Sequence, residues 1–422
     1  MKHNINIAVS PNSSFKDAWI ALKQLCIPWN WQYFTRGAAL NKLEAHFKAF
    51  FGFSHVYSMN SGREALYLIL KSLNFNKGDE IILQSFTCKV VENSITWNAL
   101  KPVYVDMDSD TYNLDPKKIE KAITKHTRAI MVQHTFGIPA DIQKIKKICE
   151  KHNLLLIEDC AHAMGAQFSD GAWVGTVGDI SFFSMGRSKV ISCVSGGVIA
   201  TNKADFSELI KKNVQECGFP KITTIIKNLL HPIVFSIVKP LYNKGPLGRG
   251  IIVCARKVRM LTMEVESHEK RGEFQKPYPK KLPNALAGMA LQQFKSLHEF
   301  NTQRRKSAQV YYDELTSHKD LTILNPSELS GAIFLRYPVI CKDKEQRDAI
   351  LRKGKKRGIN LGDWYSVPIA PASVDAKSTY YRATTNPNVE NICDRVLNLP
   401  THKGIRRNDI HNVLKLFTST LS

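Results

Sequence analysis

Residues 128–166, RAIMVQHTFGIPADIQKIKKICEKHNLLLIEDCAHAMGA, carry the pattern on which the fold reading turns. The stretch 128–137 packs Ala, Ile, Met and Val into a short run that ends in polar residues, as a buried strand does. From 141 to 152 the isoleucines fall at 142, 145 and 148, the spacing of one helical face. A second apolar run follows within 154–166 and passes into Glu158 and Asp159. Strand, helix and strand in this order imply parallel strands joined by a crossover helix.

The alternation extends outward. DEIILQ (79–84) and PVYVDMD (102–108) read as further buried strands, and DPKKIEKAI (115–123) as a helix. SGREALYLILKSL (61–73) reads as a helix opened by a Ser-Gly turn, and NKLEAHFKAF (41–50) as one with Leu43, Phe47 and Phe50 on one face. The expected fold is α/β, a mostly parallel sheet with helices on both faces. Ligands bind such sheets past the strand ends, so Gln84, Asp106, His134 and Asp159 are candidates by position. From about 283 a long helical spine leads into an α+β region, with AIFLRYPVI (332–340) as a strand and 344–358 and 407–417 as helices. The expected organisation is an N-terminal segment (1–35), a large domain (36–217), a basic apolar insert (218–279), and a linking helix with a small C-terminal domain (280–422).

Composition narrows the function. Lysine and arginine exceed aspartate and glutamate by 22 among 422 residues. So basic a chain points to an anionic partner: nucleic acid, an acidic membrane or a phosphorylated substrate. No helix-turn-helix or RNA-binding signature supports nucleic acid. The nine cysteines are scattered without a CxxC pair, as in a cytosolic protein with reduced thiols and neither disulfides nor zinc. Polar residues interrupt any apolar run at the N-terminus, so no signal peptide is expected. Nor is an ordinary membrane-spanning helix, because no uninterrupted apolar stretch is long enough.

Three clusters carry chemistry. NSGREAL (60–66) opens a helix with a glycine turn, where backbone N–H groups can hold a phosphate and Arg63 can add charge. IEDCAHA (157–163) sets two carboxylates and His162 after an apolar strand; Asp159 could pair with a protonated ring nitrogen or simply cap a helix. SFFSMGRSKVISCVSGG (181–197) places Ser184 five residues before Lys189, with two glycines beyond. A lysine in such a turn can form a Schiff base with an aldehyde cofactor. Taken alone, Lys189 reads as one more solvated cation.

In this order and spacing the clusters resemble the fold type I pyridoxal-phosphate enzymes, and among them the DegT/StrS family of sugar aminotransferases. The similarity runs over about 36–217 and 280–416, and includes LNFNKGDEIILQSFT (73–87), KPVYVDMDSDTYNLDP (101–116), HTFGIPADI (134–142) and RVLNLPTHKGI (395–405). The resemblance implies a seven-stranded sheet, pyridoxal 5'-phosphate as cofactor and a homodimer with sites between subunits. It implies glutamate as donor and a keto-sugar, nucleotide-linked, as acceptor, in surface polysaccharide or glycolipid synthesis. By the same resemblance Lys189 would carry the Schiff base and move the substrate proton, and Asp159 would keep the pyridine nitrogen protonated. Ser61, Gly62, Arg63 and Ser184 would hold the phosphate, and His162 would lie near the phenolic oxygen.

Departures are specific. Cys88 stands where members carry an aromatic that stacks on the cofactor, so stacking is lost or comes from Phe86 or a distant side chain. Arg63 replaces a threonine. YPKKLPN (278–284) replaces a segment with an asparagine that reaches the partner's phosphate, leaving Lys280, Lys281 or Asn284 for that role. A dehydratase using the amine form is a weaker alternative, because those enzymes resemble the family but have histidine in place of Lys189. A non-catalytic, membrane-associated regulator with the same fold is the other.

The insert resembles the family least. Between 221 and 259 there are eight Lys/Arg and no acid, and ITTIIKNLLHPIVFSIVKPLY (222–242) is apolar. Pro232 and Pro240 are expected to break it, giving helices in an anionic membrane interface at the inner face of the cell membrane. Each basic residue there contributes about 1 kcal/mol. The competing expectation is an insert packed on the dimer partner or over the active site.

Overall fold

In the computed structural model, which describes residues 5–7, 10–241, 248, 250, 265–276 and 278–421, the alternation produces one central sheet. Its strands are β1 (His55–Met59), β2 (Glu80–Gln84), β3 (Lys101–Val105), β4 (Thr127–Gln133), β5 (Leu155–Asp159), β6 (Ile180–Ser184) and β7 (Gly197–Thr201). They lie in the spatial order β1-β7-β6-β5-β4-β2-β3. Strands β2 to β6 pair in parallel, and β7 runs antiparallel between β1 and β6.

Both faces are covered, which is why β2, β6 and β7 are buried along their whole length. Adjacent residues on each strand serve opposite faces. On one face Ile82, Ile130, Leu156 and Phe183 meet α2 (Ala38–Phe51), α5 (Ile142–His152) and α8 (Asn284–Phe294) through Leu43, Phe47, Ile145 and Phe294. On the other, Ile81, Met131, Ile157 and Phe182 meet α3 (Gly62–Ser72), α4 (Lys89–Thr96) and α6 (Ala204–Glu216). A third core joins an antiparallel sheet of β8 (Leu321–Ile323), β9 (Arg336–Cys341) and β10 (Val396–Pro400) to α9 (Leu297–Leu315), α10 (Lys344–Lys356) and α11 (Arg407–Leu421).

Some expectations change. The spine from 283 is two helices, α8 and α9, because Ser296 leaves helical geometry (ψ 11°). The helix over 115–123 shortens to Pro116–Ile119 and one 3₁₀ turn. The strand expected over 102–108 ends at Val105, because Asp106 turns to accept the N–H groups of Asn388 and Val389.

In the insert, α7 (Ile222–Leu241) runs unbroken through Pro232, contrary to the break expected there. It packs on α1 (Phe15–Cys26) and α8, burying Ile225, Leu229, Phe235 and Val238. The Lys239 ammonium donates to the carbonyls of Ser10 (2.9 Å) and Ser13 (2.8 Å), fixing the end of α7 beside α1. By length and composition residues 222–239 could cross a membrane, yet this buried face is already engaged. Residues 242–247, 249 and 251–259 of the basic stretch lie outside the described residues.

Candidate active site

Three carboxyl-end features of the sheet meet at one edge: Asp159 ending β5, Ser184 ending β6, and the 185–196 turn that holds Lys189 before β7. Two glycines let α3 approach them. A Cβ at Gly62 would sit 2.9 Å from Ser184 Cβ, and one at Gly197 would sit 2.4 Å from the Ser61 carbonyl carbon. The first turn of α3, with its outward N–H groups and positive dipole end, therefore lies against Ser184.

Ser61 is committed to its own helix. Its hydroxyl accepts the Glu64 N–H (3.3 Å) and donates to the Glu64 carboxylate (2.8 Å) as an N-cap. Arg63 is ion-paired with Glu269, which holds the guanidinium charged against the opposing effect of burial. Burial raises the Glu64 carboxyl to about 7, while Ser61, Asn60, Arg63 and Lys280 pull it back. Such a group keeps its proton in the folded chain at pH values where the unfolded chain has released it. Its contribution is therefore lost as pH rises from about 4.5 to about 7, on the order of 3 kcal/mol in all. Glu64→Gln is expected to flatten the fall in stability between pH 5 and 8, measured by urea unfolding. An unchanged slope would rule this out.

The lysine turn is clamped from three sides. Lys189 N–H donates to Gly186 O (3.3 Å), and the Lys189 carbonyl accepts from Asn12 Nδ2 (2.5 Å). The next carbonyl, of Val190, accepts from Asn12 (3.2 Å) and from the fully buried Arg304 (2.7 Å). The half-buried Lys189 ammonium lies 5.4 Å from the Trp364 ring centroid. Asn398 on β10 grips that tryptophan's backbone, accepting its N–H (3.0 Å) and donating to its carbonyl (2.8 Å). Arg336 Cζ lies 3.3 Å from the same ring, and His162 stacks on it at 5.4 Å and 16°.

Asp159 and His162 are both buried. Asp159 Oδ1 accepts the Ala161 N–H (2.9 Å), and no other hydrogen bond reaches the carboxylate among the described residues. Burial raises its pKa; the Ala161 N–H and the Lys189 charge oppose the rise. Burial, with the Lys189 and Arg336 charges, holds His162 well below its usual range, so the imidazole is neutral. His162 Nδ1 has no partner among the described residues, and Tyr365 is at the limit of reach of Nε2 (3.5 Å). A buried carboxylate with spare capacity, an orphaned imidazole nitrogen and a glycine-lined helix start fit a phosphorylated pyridine.

Of the other expected residues, Cys88 faces the site as a neutral thiol. Its pKa is raised by burial against the Val90 N–H, Lys189 and Arg63. Phe86 is no substitute for the stacking ring: it is fully buried in the third core, edge-on to Phe136 and Tyr365. Asn284 is spent within the chain, accepting Leu40 N–H and donating to Tyr33 O. Lys281 reaches Gln215 O, whereas Lys280 stays near Glu64. Gln84, Asp106 and His134 are scaffold rather than site: each bonds to neighbouring segments. Trp364, Arg336 and Asn398 carry no signal in the sequence. Only a Trp-Tyr pair before a proline hints at the first.

The fold and this edge define a fold type I pyridoxal-phosphate enzyme. The DegT/DnrJ/EryC1/StrS aminotransferase family matches residues 26–230 and 253–418, and the chain belongs to it. It is 28% identical over 392 residues to the UDP-N-acetyl-3-dehydro-alpha-D-glucosamine 3-aminotransferase of Acidithiobacillus ferrooxidans, covering 92% of this chain and 90% of that one. It is 39% identical over 171 residues to GDP-perosamine synthase of Caulobacter vibrioides, covering 40% and 46% of the two chains. The crystal structure of the aminotransferase TlmJ of Streptoalloteichus hindustanus superposes with a TM-score of 0.76 at 22% identity over 99% of both chains. The protein is an aminotransferase, and its cofactor is pyridoxal phosphate.

Proposed function

We propose that the protein, as a homodimer, transfers the amino group of glutamate to the keto carbon of a nucleotide-linked sugar, for surface polysaccharide or glycolipid assembly. The observation that carries this reading is the convergence of Lys189, the buried Asp159 and the neutral His162 beside the N-terminus of α3. The nucleotide-sugar relatives support the acceptor class.

Pyridoxal phosphate, when bound, supplies an aldehyde carbon and a ring that takes up electrons. Lys189 Nζ would hold the aldehyde carbon and, as a free amine, would be the base that moves a proton from the donor's α-carbon. The Asp159 carboxylate holds a proton on the ring nitrogen, and burial strengthens that pairing. Neutral His162 donates one N–H toward the phenolic oxygen. The α3 N–H groups, Gly62, Arg63 and Ser184 bind the phosphate; Ser61 acts through its cap. Glutamate alone should convert the loaded protein to its amine form, with loss of the visible band and release of 2-oxoglutarate. Sugar nucleotides bearing a keto group should restore the band. If glutamate reacts but no keto-sugar nucleotide restores it, the acceptor is of another class.

Trp364 holds His162 in place for the cofactor: the imidazole stacks on its ring at 5.4 Å, with the Arg336 guanidinium 3.3 Å from the same ring and the Lys189 ammonium 5.4 Å away. Aromatic stacking contributes about 0.5–1.5 kcal/mol beyond area burial, so Trp364→Ala is expected to weaken cofactor binding about tenfold. Cys88→Ser should leave it unchanged. Fluorescence titration with the cofactor measures both, and an unchanged affinity in Trp364→Ala removes the tryptophan from this role.

A further inference from the structure

The first helix presents an aromatic face that is bare among the described residues. On α1, Phe15 (74% exposed), Trp19 (58%) and Leu22 recur at helical spacing and point away from the body, while Ala18 and Ala21 are buried. A 3₁₀ turn, Pro28–Tyr33, follows directly and exposes Trp29 (74%), Trp31 and Tyr33. Helix α7, packed beside α1, exposes Ile222 and Ile237. Soluble chains rarely leave so many large aromatics bare in one place.

The exposed charges along these segments have one sign; an acid from another element, Glu299, faces Lys403. Lys16, Lys23, Arg36 and Lys42 are exposed, and Lys23 Nζ lies 5.3 Å from the Trp19 ring. From 10 to 43 the only acid is Asp17, which is buried and bonded to Ser14 and Gln293. On the α7 side Lys221 is exposed, and no acid occurs from 217 to 263.

We propose that this face of α1, the 3₁₀ turn and α7 docks on an anionic lipid bilayer, with the tryptophans at headgroup depth and the lysines on the lipid phosphates. The site is independent of the aminotransferase reading. A second copy of the chain fits the face less well. Two copies related by a twofold axis set a patch against itself, so the lysine rim would meet lysines, and like charges facing each other oppose association. An anionic bilayer supplies the missing opposite charge. The segment leading into α1 also contacts the lysine turn through Asn12, so docking would hold the active site close to the membrane surface.

The test is co-sedimentation of the full chain with vesicles of phosphatidylcholine alone and of three parts phosphatidylcholine to one part phosphatidylglycerol. Binding is expected only with phosphatidylglycerol, weakened by salt, with a blue shift of tryptophan emission. The double variant Trp19→Ser, Trp29→Ser should bind about tenfold more weakly, with unchanged solution mass and melting temperature. Should that variant fold poorly, the pair Lys16→Glu, Lys23→Glu gives the same comparison without removing an aromatic. Failure of the native chain to bind the anionic vesicles overturns the proposal. So does a variant that changes solution mass while binding vesicles normally, since the face would then join two copies of the chain.

Discussion

Lys189→Ala is expected to abolish transamination and, in the same sample, the visible absorption band of the cofactor-loaded protein. Two separate contributions disappear with the side chain. One is the covalent hold on the aldehyde carbon; the other is the base that moves the substrate proton, which by itself is commonly worth 10²- to 10⁴-fold. Activity should therefore fall by at least about four orders of magnitude. Lys189→Arg sharpens the test. It keeps the positive charge near Trp364, but a guanidinium does not deprotonate in proteins and cannot act as a nucleophile. Both variants should lose the band while binding the phosphate end of the cofactor, since Ser184 and the start of α3 are untouched. If the band survives in Lys189→Arg, the nucleophile is elsewhere and Lys189 is only a cation in the site.

The sequence carried the sheet farther than it carried the site. The EIILQ run of β2 and the isoleucine spacing of α5 locate themselves, because both depend on local pattern. Strands β6 and β7 flank the lysine turn, and their five-residue runs show no alternation that separates strand from buried loop. Helix α1 goes unread for a different reason. Its exposed side mixes Phe15, Trp19 and Leu22 with Lys16 and Lys23, while small alanines fill the buried side, so its large apolar residues do not mark the core face.

Within the site, Asp159 was legible because a motif frames it, but its neighbour shows what letters cannot convey. Glu158 is equally buried, yet it accepts the N–H groups of Gly175, Val177 and Gly178 and bonds to His134. That carboxylate is saturated scaffold, and its grouping with His134 and Cys160 needs no metal to explain it. Asp159, one residue on, has a side chain that accepts a single hydrogen bond among the described residues. Which of two adjacent acids is spare depends on backbone donors some 20 residues away. The same holds for Trp364, placed over Lys189 by Asn398, a contact no local pattern records.

That spare capacity makes Asp159→Asn the second large expected effect. The substitution preserves volume and an oxygen for the Ala161 N–H, so the turn after β5 should keep its shape. It removes the negative charge. In the native site that charge already bears the cost of burial, which raises the Asp159 pKa, and the Lys189 ammonium compensates only in part. A cationic N–H at the carboxylate, from a protonated ring nitrogen, would recover the balance and stabilise both partners. An amide cannot hold that proton, and an unprotonated ring is a poor sink for electrons. The expected loss in kcat is on the order of a thousandfold, about 4 kcal/mol of barrier, with a much smaller change in cofactor affinity because the phosphate contacts remain. The loss should shrink as pH falls, since solvent then supplies the proton that the carboxylate no longer retains. A variant with native kcat and an unaltered pH profile would leave Asp159 only its bond to Ala161, the structural role of an ordinary capping aspartate.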